Sequence, residues 1–358
     1  MDHARTARTR TRRHVGALLL VSATLGSLVS CGGDAETPAA AAPTTSSSSA
    51  PPPPPPAPVL WPLTGTESGA VPQRPALAVK IENSVDARPQ TGLGATDMVW
   101  EEVVEGGITR FVAVFHSTLP PEIGPVRSVR PMDPAIAAPL HGLFAFSGGA
   151  KGYLSDLQEA GLQLLSNDSG AAGFHRIGSR QAPHNVYADP AALVAQADPQ
   201  HLAAPAAQFE FAPTPEESTP GTTGTPTATL GLTLSGLSHP NWTWDSPAGR
   251  WLRAENSTPA TEADGTRLGA ANVVVLRVDV VNTARKDAAG NPVPETVLVG
   301  RGDALVASGG KTLPVTWAKN STTDRLVLLG ADGNPVTLAP GNTWVELVPN
   351  GSGAVTTG

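Results

Sequence analysis

Glu101 and Glu105 precede a turn and one guanidinium follows it in the stretch Glu101-Glu102-Val103-Val104-Glu105-Gly106-Gly107-Ile108-Thr109-Arg110. Residues 98–105 and 108–116 both read as strands, and a two-residue Gly106-Gly107 loop suits a type I′ hairpin. That loop pairs Glu105 with Ile108 and Val103 with Arg110. Side chains alternate faces along a strand. Glu101, Val103, Glu105, Ile108, Arg110 and Val112 are therefore expected on one face, with both glutamates diagonal to Arg110. Two carboxyls about 5–10 Å apart are what glycoside hydrolysis needs. The same layout is an ion-pair network that fixes strand register. The second reading is preferred, because the arginine would keep both acids ionised and poor as proton donors.

A second group is cationic. Arg127 and Arg130 flank the Gly124-Pro125 turn and Pro131, and Arg176 and Arg180 precede His184-Asn185. Ser147-Gly148-Gly149 leads into a helix start, where free backbone N–H groups favour anions. Four arginines with Ser147, His184 and Asn185 suit a carboxylate or phosphate on an envelope polymer, which arginine forks recognise well. The alternative is that Arg127 and Arg130 pair with Glu101 and Glu105 in one buried network. Both readings stay open.

Other constellations are weaker. Ser308 and Lys311 have the spacing of a serine–lysine pair but lie in a Gly-Gly turn before a strand. Residues 305–312 end like a phosphate loop, but Leu305 stands where the first glycine belongs. No Gly-x-Ser-x-Gly occurs, and the histidines lack metal-ligand spacing, so no cofactor and no metal are expected. Trp242, Trp244, Trp251, Trp317 and Trp344 are expected to build a β-domain core.

The elements that must position these residues are readable in outline. Leu77, Val79 and Ile81 alternate in a strand over 76–82. Residues 144–147 form a short strand before a helix over 150–160, and Asp189-Pro190 caps a helix over 190–197. Residues 212–228 are rich in Pro, Thr and Gly and read as a linker or long loop. Beyond them, 272–281, 296–299, 313–319, 326–329 and 344–348 read as strands, with a turn at Asp332-Gly333-Asn334-Pro335.

The N-terminal region gives an address. Five arginines up to Arg13 precede an apolar run from Val15 to Val29, and Leu28-Val29-Ser30-Cys31 resembles a lipobox. The run has 15 residues, whereas a membrane span needs about 20. Cys31 is the only cysteine. It is expected to carry lipid, palmitate included, and so to hold the chain on the extracytoplasmic face of the cell membrane. Two or three acyl chains anchor stably where one does not. No disulfide can then form, and the fold must rely on its core. Residues 32–59, with Pro51 to Pro56, read as a disordered tether reaching roughly 30 Å. Without residues 1–30, which hold five arginines and Asp2, the formal charge of −7 becomes −11. Such a surface repels nucleic acid, which is excluded as a partner.

Several ordered segments carry a family likeness. They are Pro62-Leu63-Thr64-Gly65, Ala87-Arg88-Pro89-Gln90-Thr91-Gly92-Leu93, Glu105-Gly106-Gly107-Ile108-Thr109-Arg110-Phe111, Ile123-Gly124-Pro125-Val126-Arg127-Ser128-Val129-Arg130-Pro131 and Ala182-Pro183-His184-Asn185-Val186-Tyr187. Asn272-Val273-Val274-Val275 and Pro340-Gly341-Asn342-Thr343-Trp344 extend it into the second half. Over about 61–350 the chain resembles the YerB-like bacterial lipoproteins, built on a domain of unknown function. The resemblance implies an α+β fold, with a layered α/β N-terminal domain followed by a β-rich C-terminal domain. It implies no known reaction.

The expected layout is a signal peptide over 1–30, lipidated cysteine and tether over 31–59, and an N-terminal domain over 60–205. A linker or loop over 206–229, a β-rich domain over 230–350 and a disordered tail over 351–358 complete it. The expected function is a non-catalytic binding or regulatory protein of the cell envelope. Its partners would be the membrane, through the lipid, and an anionic envelope component or envelope protein. A cell-wall hydrolase or transferase using a Glu/Arg/His cleft is the alternative.

Overall fold

The apolar runs become the strands of a fold dominated by β-structure. A computed structural model describes residues 57–287 and 290–358. Cys31, the signal peptide and nearly all of the tether lie outside the described residues. The main strands are β1 (Leu77–Glu82), β2 (Met98–Val103), β3 (Thr109–Phe115), β4 (Leu143–Phe146), β5 (Gln163–Ser166), β6 (Thr229–Thr233) and β7 (Pro240–Asp245). They continue with β8 (Arg250–Glu255), β9 (Asn272–Lys286), β10 (Pro292–Val297), β11 (Gly300–Ser308), β12 (Lys311–Lys319), β13 (Thr343–Pro349) and β14 (Ala354–Thr357). The helices are short: α1 (Asp133–Ala137), α2 (Lys151–Glu159), α3 (Pro190–Val194) and α4 (Thr219–Thr223). Asp189 caps α3 by accepting from the backbone N–H groups of Ala191 and Ala192, with Pro190 in the first turn.

One sheet runs through both halves of the chain in the order β12-β11-β9-β13-β2-β3-β1-β4-β5. The halves join where β13 lies parallel to β2, placing Glu346 beside Glu101. Every residue of β1, β2, β3 and β13 is buried, so both faces of the sheet are covered. One face carries Met98, Trp100 and Val112 against Met132 and Ile136 of the α1 region and Tyr153 and Leu157 of α2. The other carries Val99, Phe111 and Ala113 against Leu230, Leu232, Trp242 and Trp251 of a second sheet, ordered β8-β7-β6-β14. Trp242, Trp251, Trp317 and Trp344 are core residues as expected, and Trp244 is half-buried against Trp251.

Three sequence expectations need correction. The β2–β3 connection is not a two-residue loop. Val104 to Ile108 form it, with a 3-10 turn over Glu105–Gly107, and the last pair is Val103↔Thr109. Arg110 therefore opposes Glu102, and Glu101 opposes Phe111. The slip of one residue transfers Arg110 to the other face from Glu101. Its cause is that both faces are buried, which erases the alternation that would reveal register. The two-glycine hairpin is instead at Gly309-Gly310, between β11 and β12. Both glycines are left-handed (φ +58° and +73°), Ser308 pairs with Lys311, and a Cβ on Gly310 would strike the Trp244 indole.

Residues 206–229 are bonded into the fold. Glu210–Phe211 pair with Thr337–Leu338, α4 starts at the Ser218 cap, and Thr225–Pro226 pair with β12. Residues 351–358 are not a disordered tail, because β14 completes the second sheet alongside β6.

Candidate functional site

Glu101 and Glu102 are neighbours in sequence and enter different worlds. Side chains alternate across β2, so Glu101 faces the second sheet and Glu102 faces α1. The two faces hold two charged networks.

On the Glu101 side, Arg253 of β8 is the hub and is wholly buried. Its Nη2 lies 2.6 Å from Glu101 Oε2 and 2.9 Å from Glu255 Oε1, and its Nη1 lies 2.6 Å from Glu346 Oε1. The guanidinium sits 4.8 Å from the Trp344 ring, 5.3 Å from Trp242 and 5.5 Å from Phe111. Asn83 and Thr109 donate to Glu101, and the Trp242 indole N–H donates to Glu346. Burial raises the Glu101 pKa, but the Arg253 charge and hydrogen bonds from Glu346 and Thr109 outweigh it and hold that carboxyl below its usual range. Burial and the Glu101 charge push Glu346 well above that range. Of the two, Glu346 is the carboxyl that holds a proton more readily. With Arg88 bonded to Glu255 at 3.0 Å, two guanidiniums face three carboxyls.

On the other face, Lys80 lies wholly buried between Glu102 and Asp133, with Asp133 Oδ1 at 2.6 Å. Burial and the Asp133 charge push Glu102 up to about 8, against the opposing pull of Lys80. Towards the opening of this face, Arg130 holds Glu105 Oε2 through Nε and Nη2, both at 2.7 Å. Arg127 meets Glu82 at 3.2 Å, and His184 Nδ1 meets the same carboxylate at 2.9 Å. Arg110 donates to the Ser128 carbonyl at 2.7 Å, and its buried Nε has no partner among the described residues. Burial and the charges of Arg130 and Arg127 push Arg110 down to about 10. Three guanidiniums share this corner with two carboxylates.

The expected site residues thus separate. Glu105, Arg110, Arg127, Arg130 and His184 converge, and Ser128, which bonds the Ser147 carbonyl, ties Ser147 to them. Glu101 does not join them. Arg176 bonds Asn185 at an exposed hairpin, and Arg180 bonds the Asp86 and Pro89 carbonyls. A Glu101/Glu105 acid–base pair is ruled out by this geometry, since the two carboxyls serve different networks. Arg253, Glu346, Lys80, Glu82, Glu102 and Asp133 escaped the sequence reading. Period-2 alternation through the true register would have placed Glu102 and Glu82 on either side of Arg110, but no local signal marks Arg253. Among the described residues no cluster of His, Cys, Asp and Glu could hold a metal. No described helix is long and apolar enough to cross a membrane.

Comparisons with known proteins agree with the two halves of the chain. Residues 63–203 match the family model "Protein of unknown function (DUF3048) N-terminal domain". Residues 230–345 match the corresponding C-terminal domain model. A relative named "Putative lipoprotein YerB", from Bacillus subtilis (strain 168), is 36% identical over 129 residues. That match spans 35% of this chain and 39% of the relative. A crystal structure of YerB protein from Bacillus subtilis superposes with a TM-score of 0.69 at 23% identity, over 83% of this chain and 99% of that one. That likeness is one of fold.

Proposed function

We propose that this chain, which belongs to the YerB-like family, is a lipid-anchored envelope protein that holds an anionic group rather than transforming it. The observation that carries the reading is Arg110. It is 4% exposed, its Nε lacks a partner among the described residues, and Arg127 and Arg130 add two like charges beside it. Buried donors are ordinarily satisfied, and a surplus of guanidiniums is relieved by a bound carboxylate or phosphate. The cell-envelope address rests on the Cys31 motif and on the relative named as a lipoprotein. Cys31 carries the anchor on the extracytoplasmic side, so replacement by alanine should move the protein from the membrane to the soluble fraction. Acid–base chemistry has little support here, because Glu102, the carboxyl with a raised pKa on this face, is sealed from solvent.

Titration of the full-length protein with inorganic phosphate and, separately, acetate tests the reading through the Nε resonance of Arg110. A saturable shift is expected with one of them, weakened at least tenfold, about 1.4 kcal/mol, in Arg127→Ala. Absence of any saturable shift would overturn it, as would turnover of cell-wall fragments by the purified chain.

A further inference from the structure

A second receptor lies on the opposite flank of the loop that follows β1. A cleft of about 390 Å3 opens between residues 85–90 and the β8 turn at 255–261. That size falls within the range of small-molecule sites, roughly 300–1,000 Å3. Both walls are fixed. Arg180 bonds the Asp86 and Pro89 carbonyls, and Gln90 bonds the Glu82 carbonyl. Across the cleft, Asn241 bonds the Asn256 carbonyl at 2.7 Å and the Asn256 N–H bonds His239.

Arg88 lines the floor and is locked on two of its three nitrogens. Nε donates to Asn83 Oδ1 at 2.9 Å, and Nη2 donates to the Asn83 carbonyl at 2.9 Å and meets Glu255 at 3.0 Å. Nη1 has no partner among the described residues. A guanidinium held in this way loses little freedom when it takes a ligand. Around it stand Val85, 78% exposed at the lip, with Pro259 as apolar surface, and Thr258 and Thr261 as hydroxyl donors.

We infer that this cleft binds the free carboxylate of a small acid carrying a short apolar group, the chemistry of a peptide C-terminus. One donor of Arg88 and the neighbouring hydroxyls suit a carboxylate, while the proline and valine suit the apolar part. A phosphate dianion is disfavoured because Glu255 adds a negative charge at the same spot. The site shares no residue with the Arg110 corner.

Ligand-observed NMR on the full-length protein tests this with N-acetyl-L-valine against N-acetyl-L-valinamide. The acid should bind saturably and the amide at least tenfold more weakly. Val85→Glu, at a position too exposed to affect folding, should weaken the acid at least tenfold, and Arg127→Ala should leave it unchanged. Equal binding of acid and amide would overturn the inference. So would no saturable binding of the acid, insensitivity to Val85→Glu, or loss of binding in Arg127→Ala. Loss of phosphate binding at the Arg110 corner would leave this result untouched, so the two readings fail separately.

Discussion

The networks on the two faces of β2 are built from the same residue types and solve different problems. Around Arg253 the guanidinium meets three carboxyls and three aromatic rings close over the hub, with only Glu346 Oε2 of those carboxyl oxygens left without a partner among the described residues. Around Arg110 the count is uneven, a donor is unanswered, and Arg127 and His184 keep 23% and 24% of their side chains exposed. The sealed hub at Arg253 holds a junction together, and only its rim at Arg88 reaches an opening. An open and unbalanced network is available to something else. The Arg253 hub joins β2, β8 and β13, so it ties the second sheet to the shared one. The Arg110 corner joins the 127–130 loop, the Glu105 turn and His184 to β1 and β3.

The contrast is most exposed at Arg253. Arg253→Met leaves Glu101 and Glu346 buried without their cation and Glu255 with Arg88 alone, and removal of one partner from a buried ion pair costs about 3–5 kcal/mol. Urea unfolding should show a loss of that size. The triple exchange Arg253→Met, Glu101→Gln, Glu346→Gln removes the orphaned charges and should recover a large part of it. A loss below about 1 kcal/mol in the single variant would mean that the hub does not hold the junction.

Glu102 sharpens the comparison through pH. Its pKa of about 8 in the folded chain lies above the ordinary 4.5. Between those values the folded chain keeps a proton that the unfolded chain has released, so this group's contribution is complete below pH 4.5 and is lost as pH rises through 8. Glu346 works in the same direction, and Glu101, lowered, works in the opposite one. Glu102→Gln cannot titrate. Relative to the parent chain its stability should therefore improve by about 1.4 kcal/mol for each pH unit between 5 and 7. A constant difference across that range, read from urea midpoints, would mean that Glu102 is ionised beside Lys80.

Much of the frame was legible because its signals are local. Asp189-Pro190 marks a helix start within two residues, and the tryptophans mark a core by composition. The sites were less legible for two physical reasons. Strands buried on both faces carry no alternation, so the register of β2 and β3 could slip by one residue and exchange Glu101 for Glu102. Arg253 reaches Glu346 and Glu101 across 93 and 152 residues of sequence, and no spacing rule spans such distances. The arginines of the open corner were found because Arg127 and Arg130 lie close together in a proline-bounded loop.

The finest test of the contrast is Arg110→Met. Under the slipped register Arg110 would neutralise Glu101 and Glu105, and its removal would cost several kcal/mol. In the observed register it bonds neither, although the Glu105 charge still favours its charged form. Among the described residues its side chain bonds only the Ser128 carbonyl, which Arg130 Nη1 also approaches at 3.5 Å. Loss of a hydrogen bond from a charged donor costs about 1.5–3 kcal/mol. Relief of repulsion from Arg127 and Arg130, and of the burial of a guanidinium with an unanswered Nε, offsets most of that. The methionine stem retains the apolar contacts. Thermal unfolding should therefore place Arg110→Met within about 1 kcal/mol of the parent chain, while anion binding at this corner disappears. A loss comparable to that of Arg253→Met would show that the open corner, too, is built for stability.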